Sequence, residues 1–341
     1  MTTHSARPMK ILFAIQGTGN GHLSRARDIY PELARYGEVD VLISGIQADV
    51  DVPFPVRYRK YGMSFIFGKR GGVDILDTAR KLKLSTLISD IRGLQIDEYD
   101  LVINDFEPIS AWACKIRKKP CISLSHQCAV LHPAAPKPAT TDPMGKLVLE
   151  RYAPVTAAYG FHFSPYGDNI FTPVIRREIR ELKPTNEGHY TVYLPAYSDE
   201  TIVRHLSQFP QAQWRVFSKH NKQPFSQGNI TISRIDNRAF IESMASGAGV
   251  LCGAGFEGPA EAMYLGKKVL VIPMLTQYEQ QCNAAGAATM GATVIKTLDT
   301  GNYTTISNWL ENGKPIQVNY PDITSDIIAR IMRQHAPAAI T

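Results

Sequence analysis

No apolar stretch of this 341-residue chain approaches the ~20 residues needed to cross a bilayer. The longest, such as Lys268 to Met274, have the length of a strand. The sequence does not open on a charged-then-apolar export signal, and the expectation is a cytoplasmic protein. Cysteine is scarce. The five residues (Cys114, Cys121, Cys128, Cys252 and Cys282) are odd in number and show no Cys-x-x-Cys spacing, which argues against a zinc or redox motif and for reduced structural thiols. Internal repeats and low-complexity blocks are also missing, so neither a solenoid nor a long disordered tail is expected.

What is there suits a folded protein: 44% hydrophobic and 20% charged residues, in a chain long enough for two domains. A net charge of +6 points to anionic partners, whether nucleotide phosphates, acidic lipid headgroups or nucleic acid. Beyond the aperiodic Met1 to Pro8, Lys10 to Gln16 reads as a strand. Leu23, Ala26, Tyr30 and Leu33 follow at helical spacing, closed by Gly37. Val39 to Ser44, Leu101 to Asn104 and Cys121 to Leu124 read as further strands, and Ile75 to Ile91 as a helix. The proline-rich Gln127 to Pro143 reads as a loop over the sheet's open edge, and the basic Phe171 to Pro184 as a connector.

The alternation then restarts. Tyr190 to Leu194, Trp214 to Phe217, Ile230 to Ser233, Gly249 to Leu251 and Val269 to Ile272 are strand candidates. Helical stretches separate them at Thr201 to Gln208, Arg238 to Ser246 and Pro259 to Leu265. An amphipathic helix carrying Ile323, Ile327, Ile328 and Ile331 ends the pattern. The expected fold class is α/β: two Rossmann-like, doubly wound parallel-sheet domains facing a cleft. Expected boundaries are 9–170 for the first domain, 171–186 for the linker, 187–320 for the second domain and 321–335 for a helix packing near the junction.

The segment from Cys252 to Ala284, CGAGFEGPAEAMYLGKKVLVIPMLTQYEQQCNA, is the most informative. Gly253 and Gly255 allow a tight turn after a strand, Gly258 a close approach, and Pro259 suits a first helical position. Phe256 and Glu257 lie within the same turn. The free N–H groups of a helix start favour a phosphate or diphosphate. Glu261, expected in the first turn, can accept two hydrogen bonds from a ribose diol. Glu279, Gln280 and Asn283 open a second helix with groups suited to sugar hydroxyls.

On these residues the chain resembles the two-domain GT-B glycosyltransferases, closest to the UDP-dependent enzymes and the N-acetylglucosaminyltransferase that forms lipid II. The resemblance covers most of the chain. It implies that Glu261, ahead of the helix-ending Gly266, holds the donor ribose, that Glu279 and Gln280 contact the donor sugar, and that Asn283 lies near the phosphates. Lys268 stands where the family usually has proline, and the His-Cys-Gly-Trp stretch of plant members is absent.

Strand one runs into Gln16-Gly17-Thr18-Gly19-Asn20-Gly21-His22, which is similar to the family's early glycine-rich loop ending in histidine. The resemblance makes His22 the candidate general base that takes the acceptor's hydroxyl proton, a task suited to an imidazole. Asp105 is the candidate carboxylate that orients it, with a helix cap as its bland alternative. Ser125, His126 and Gln127 follow a strand where an acceptor would bind, with loop polarity the alternative for His126 and for His132.

The implied activity is inverting, metal-independent transfer of a sugar, from a UDP-sugar by resemblance, to a hydroxyl acceptor, with no cofactor. A lipid-linked or cell-envelope acceptor and peripheral contact with the membrane's inner face are part of the same implication. Other readings fit the sequence less well. A nicotinamide oxidoreductase fits poorly, because position 22 is histidine and VDVLIS lacks a terminal acid. A nucleotide-sugar 2-epimerase shares the architecture without its Arg-x-x-x-Glu-Arg-Pro-Glu segment, and a non-catalytic nucleotide binder is the weaker alternative. A nucleic-acid binder would need more than scattered charge: Lys115 to Lys119 and Arg176 to Arg180 read as solvated helix faces. Asp49-Val50-Asp51 reads as a chance Asp-x-Asp, so no metal site is expected.

Overall fold

The computed structural model describes residues 7–45, 52–62, 84–140, 142–221 and 223–337. Its first half is a parallel sheet of β1 (Lys10–Gln16), β2 (Glu38–Ser44), β3 (Tyr58–Lys60), β4 (Leu101–Asp105), β5 (Ile122–Leu124), β6 (Ala157–Phe161) and β7 (Ile170–Phe171). Their order is β3-β2-β1-β4-β5-β6-β7. Helices α1 (Asn20–Ala34), α2 (Leu84–Gly93), α3 (Pro108–Arg117), α4 (His126–Leu131) and α5 (Pro143–Tyr152) accompany it.

After a short α6 (Arg177–Arg180), the second sheet is built from β8 (His189–Tyr193), β9 (Gln213–Ser218), β10 (Phe225–Gln227), β11 (Ile230–Arg234), β12 (Gly249–Gly253), β13 (Lys268–Ile272) and β14 (Thr293–Val294). Their order is β10-β11-β9-β8-β12-β13-β14, with only the edge strand β10 antiparallel. Its helices are α7 (Asp199–Leu206), α8 (Asn237–Ser246), α9 (Glu257–Tyr264), α10 (Tyr278–Thr289) and α11 (Tyr303–Asn312), and α12 (Thr324–His335) ends the chain's described structure.

The doubly wound arrangement follows from β1. Its side chains alternate between faces, and both faces are buried. Ile11, Phe13 and Ile15 join Leu23, Ala26, Ile29 and Leu33 of α1 in one core, while Leu12 and Ala14 join Ile109 and Ala113 of α3 in another. Each large aliphatic of α1 contributes about 1.5–3 kcal/mol by burial, and cutting Ile29 to alanine would cost about 2–5 kcal/mol. Pro31 is tolerated inside α1.

In each sheet the chain changes direction of winding at one place, between β1 and β4 and between β8 and β12. Loops leaving neighbouring strands diverge there and open a crevice at the strands' carboxyl ends. The two crevices face each other. The last helix then returns to the first half: α12 packs on α1, and Arg330 donates to the Asp168 carbonyl at 2.8 Å. The buried Lys267 ammonium fastens the connector, donating to the carbonyls of Thr185, Ala245 and Gly247 at 2.6, 2.6 and 2.9 Å.

Several local expectations change. Gln127 to Pro143 is not all loop, because Ser125 caps α4 by accepting from the Cys128 N–H. α9 begins at Glu257, so Pro259 is its third residue and Glu261 belongs to the second turn. Arg7, expected in an unstructured lead-in, pairs with Asp100 through two hydrogen bonds of 2.7 and 3.0 Å. Asp49 to Asp51 and the first part of the Ile75 to Ile91 helix lie outside the described residues. All five cysteines are free. Among the described residues, no helix is long and apolar enough to cross a membrane.

Candidate active site

The first crevice brings the end of β4 beneath the start of α1. Phe106 adopts a left-handed backbone, φ 56°, a conformation that costs a non-glycine residue about 1–3 kcal/mol. Asn104 braces the turn: its Nδ2 donates to the Glu107 carbonyl at 2.7 Å and its Oδ1 accepts from the Glu107 N–H at 3.0 Å. Glu107 in turn caps α3, accepting from Ile109 N and Ser110 N at 2.8 and 2.7 Å. The cap is therefore Glu107, and Asp105 is left for His22.

The Nδ1–H of His22 donates to Asp105 Oδ1 at 2.9 Å, which leaves the lone pair on Nε2. That lone pair accepts from the Gln127 amide at 3.3 Å. Burial draws the imidazole down, but the Asp105 charge and hydrogen bond outweigh burial and the nearby Arg25, so His22 sits above the ordinary histidine value. For Asp105 burial pushes upward, and Arg25 with His22 reverses it to below the ordinary aspartate range. The wholly buried Asp105 also accepts from Arg25 Nη2 through both oxygens at 2.8 Å.

Glycines shape this loop. A Cβ on Gly17 would stand 2.8 Å from the Ile43 side chain, and Gly19 has φ 90°. Gly21 lies so close to the Glu257 carboxylate that a Cβ there would collide with it. Thr18 accepts from Gln16 Nε2 at 3.0 Å.

A cavity of about 740 Å³ fills the space between the halves. From the first half it is lined by Gly19, Asn20, Gly21 and Ser24, and from the second by the loop after β8, Gly253, Gly255 to Pro259, Glu261, Met274 and Gln280. No side chain caps the start of α9. A Cβ on Gly255 or Gly258 would meet no protein atom within 4 Å, so both glycines face open space where a ligand backbone can approach. The tight turn expected at Gly253 and Gly255 is there, since only three residues separate the end of β12 from Glu257, but none of Gly253, Gly255 and Gly258 has a positive φ, so the turn does not use glycine's left-handed freedom.

The remaining motif residues are spent on contacts between the halves or within the second. Glu261 is buried and held by Arg176, which corrects the reading of that arginine as part of a solvated face. Glu257 reaches back to Arg25, and Glu279 accepts from Gln127 Nε2 at 3.1 Å. Gln280 Oε1 accepts from the Met274 N–H at 3.0 Å. Asn283 is buried: its Nδ2 donates to the Ala254 carbonyl at 3.1 Å, and its Oδ1 faces His126 Nε2 at 2.6 Å. His126 Nδ1 meets the Phe161 carbonyl at 2.7 Å, and the ring stacks on Phe256 at 3.8 Å. Ser125, His126 and Asn283 therefore line no open cleft in this conformation, because each is buried in its own hydrogen bonds.

A match to known proteins completes this picture. The family described as glycosyl transferase family 1 matches residues 9–312. The chain belongs to that family. As a glycosyltransferase it moves a sugar from a nucleotide-sugar donor, so the nicotinamide and epimerase alternatives are set aside. No curated protein matches it in sequence. Among solved structures it is similar to a UDP-glucosyltransferase from Polygonum tinctorium, with 12% identity, TM-score 0.59 and coverage of 97% of this chain and 94% of that one. It is also similar to MurG of Acinetobacter baumannii, with 14% identity, TM-score 0.51 and coverage of 96% and 100%. A third is a Streptomyces sp. SF2575 glycosyltransferase complexed with thymidine diphosphate, with 13% identity, TM-score 0.52 and coverage of 96% and 99%. These structures share the transferase's GT-B fold.

The sequence alone does not single out Arg25, and it presents Arg176 only as a solvated charge. Arg25 lies one turn after His22, a spacing that puts both on one helix face, and that was the available signal.

Proposed function

We propose that this transferase moves a sugar from a UDP-sugar to a hydroxyl acceptor with inversion and without a metal ion, and that His22 is the general base. The observation that carries the reading is the His22–Asp105 hydrogen bond of 2.9 Å, which fixes the tautomer and leaves the Nε2 lone pair for a substrate proton. The nucleotide binds the second half, with its ribose at Glu261 and its diphosphate at the uncapped start of α9. There free N–H groups and the helix dipole stabilise the leaving group, the task a metal performs elsewhere. The donor sugar lies toward Glu279 and Gln280.

The acceptor oxygen attacks the anomeric carbon from the face opposite the diphosphate. The new C–O bond forms as the bond to the β-phosphate oxygen breaks, the proton passes to Nε2, and UDP leaves. A lipid-linked or cell-envelope acceptor, taken at the cytoplasmic face of the membrane, fits the exposed Leu84, Ile88 and Ile116 on the packed pair α2 and α3, beside Arg92 and Lys115.

Calorimetric titration with UDP, TDP, GDP and NAD tests the donor, each with magnesium and with EDTA. UDP binding that survives EDTA and is weakened in Glu261→Ala is expected. Binding that needs magnesium, or that prefers another nucleotide, overturns the corresponding part of the reading. Transfer by His22→Ala should fall about 100- to 10,000-fold with donor affinity kept.

A further inference from the structure

We propose that Arg25 is a positioning residue that sets the charge balance of the His22–Asp105 pair, and that Glu257 makes this balance depend on contact between the two halves. The inference rests on His22 being the base.

The geometry is that of one guanidinium shared by two carboxylates from different parts of the chain. Arg25 Nη2 donates to both oxygens of Asp105 at 2.8 Å and lies 3.3 Å from His22 Nδ1, while Nη1 donates to Glu257 at the start of α9. The Arg25 side chain is 1% exposed, so water screens these charges little. Asp105 is held in place to receive the His22 Nδ1–H because Nη2 of Arg25 donates to both of its oxygens, while Nη1 is tied to Glu257.

The charges explain why such a group is there. With a neutral imidazole, Asp105, Arg25 and Glu257 together leave one negative charge in a buried cluster; accepting the substrate proton on His22 cancels it. Without Arg25 the resting cluster would carry two negative charges, and His22 would be held as the imidazolium, with no lone pair to use. Without Glu257 the resting cluster would be neutral, and proton acceptance would create a net positive charge. The two residues therefore tune the base in opposite directions, and Glu257 belongs to the half that carries the donor site. The groups facing His22 are Asp105 from β4, Arg25 from its own helix, Glu257 from α9 and Gln127 from α4, with Glu279 of α10 behind Gln127.

The test is a ¹³C-histidine NMR titration of the full chain, with the His22 signal assigned by its loss in His22→Gln. The apparent pKa of His22 should rise in Arg25→Met and fall in Glu257→Gln. A value unchanged in both variants overturns the proposal. In the same proteins, the acid limb of kcat/KM for UDP-sugar hydrolysis should move with the NMR value. NMR shifts without movement of that limb would remove His22 as the base and leave the electrostatic role of Arg25 standing. A lower rate at every pH with an unmoved pKa would mean that Arg25 is structural only. Should Arg25→Met not fold, Glu257→Gln, whose carboxylate is 24% exposed, and Arg25→Lys carry the test. Lysine keeps the charge but loses the fork, so the His22 value should stay near wild type while kcat falls.

Discussion

Arg176 grips Glu261 with one edge of its guanidinium: Nε donates to Oε1 at 2.5 Å and Nη2 to Oε2 at 2.8 Å. The carboxylate proposed for the ribose is thus oriented by a residue of the connector, which also reaches Asn237 at 3.0 Å. Removing one partner of a buried pair leaves an uncompensated charge. Arg176→Met should destabilise the fold by about 3–5 kcal/mol in urea denaturation. Adding Glu261→Gln should recover part of the loss. A loss below ~1 kcal/mol would mean that the pair behaves as a solvent-screened one.

Gly258 separates folding from binding. Because a Cβ there meets no protein atom and the backbone needs no positive φ, Gly258→Ala should keep the melting temperature or raise it, by up to about 1 kcal/mol of helix propensity. UDP affinity should nonetheless fall at least about tenfold, since the methyl group takes space at the proposed diphosphate site and each ~1.4 kcal/mol is a factor of ten. Undiminished affinity by calorimetry would place the diphosphate elsewhere.

The raised His22 value fixes the direction of two pH effects. A general base works unprotonated, so the acid limb of the wild-type pH–rate profile should lie above pH 6.5, the ordinary histidine value, and vanish in His22→Gln. A histidine raised on folding lends stability that is full below its unfolded value and is lost as pH rises through the folded one. The stability gap between wild type and His22→Gln should therefore be larger at about pH 6 than at about pH 9.

His126 and Asn283 join the halves through one short hydrogen bond, 2.6 Å, between two buried side chains. Asn283→Ala leaves a polar ring nitrogen unpaired and should cost about 1–3 kcal/mol. In a double-mutant cycle with His126→Ala the coupling should be about 0.5–3 kcal/mol. Additive losses would show that the contact carries no energy of its own.

The architecture was legible because strand and helix periods are local. Lys10 to Gln16 is found where its apolar run predicts it, and the strand candidates of the second half lie within two residues of the observed ones at either end. Short or sparsely apolar pieces, such as β3, β7 and β14, owe their existence to neighbouring strands and carry little signal of their own. The candidate site was readable where it is a contiguous motif, as from Gly253 to Glu261. It was not readable where partners are remote: Arg25 meets carboxylates 80 and 232 positions away, and Arg176 one that is 85 away. An arginine on a helix looks like a solvated charge until the fold brings its acids to it. Glu257 shows the same limit, since its place in the donor motif gave no hint that it turns to α1.

The return of α12 to the first half bears on how such enzymes are recombined. Tyr159 of β6 meets His335 at 2.8 Å, and Arg180 of the connector donates to the Tyr320 carbonyl at 2.9 Å. A chimera that exchanges donor specificity by splicing only at the connector would give the host half a foreign terminal helix. The better graft has two junctions, one ahead of β8 and one ahead of Tyr320, so that the inherited half keeps its own closing helix while its sugar donor is replaced.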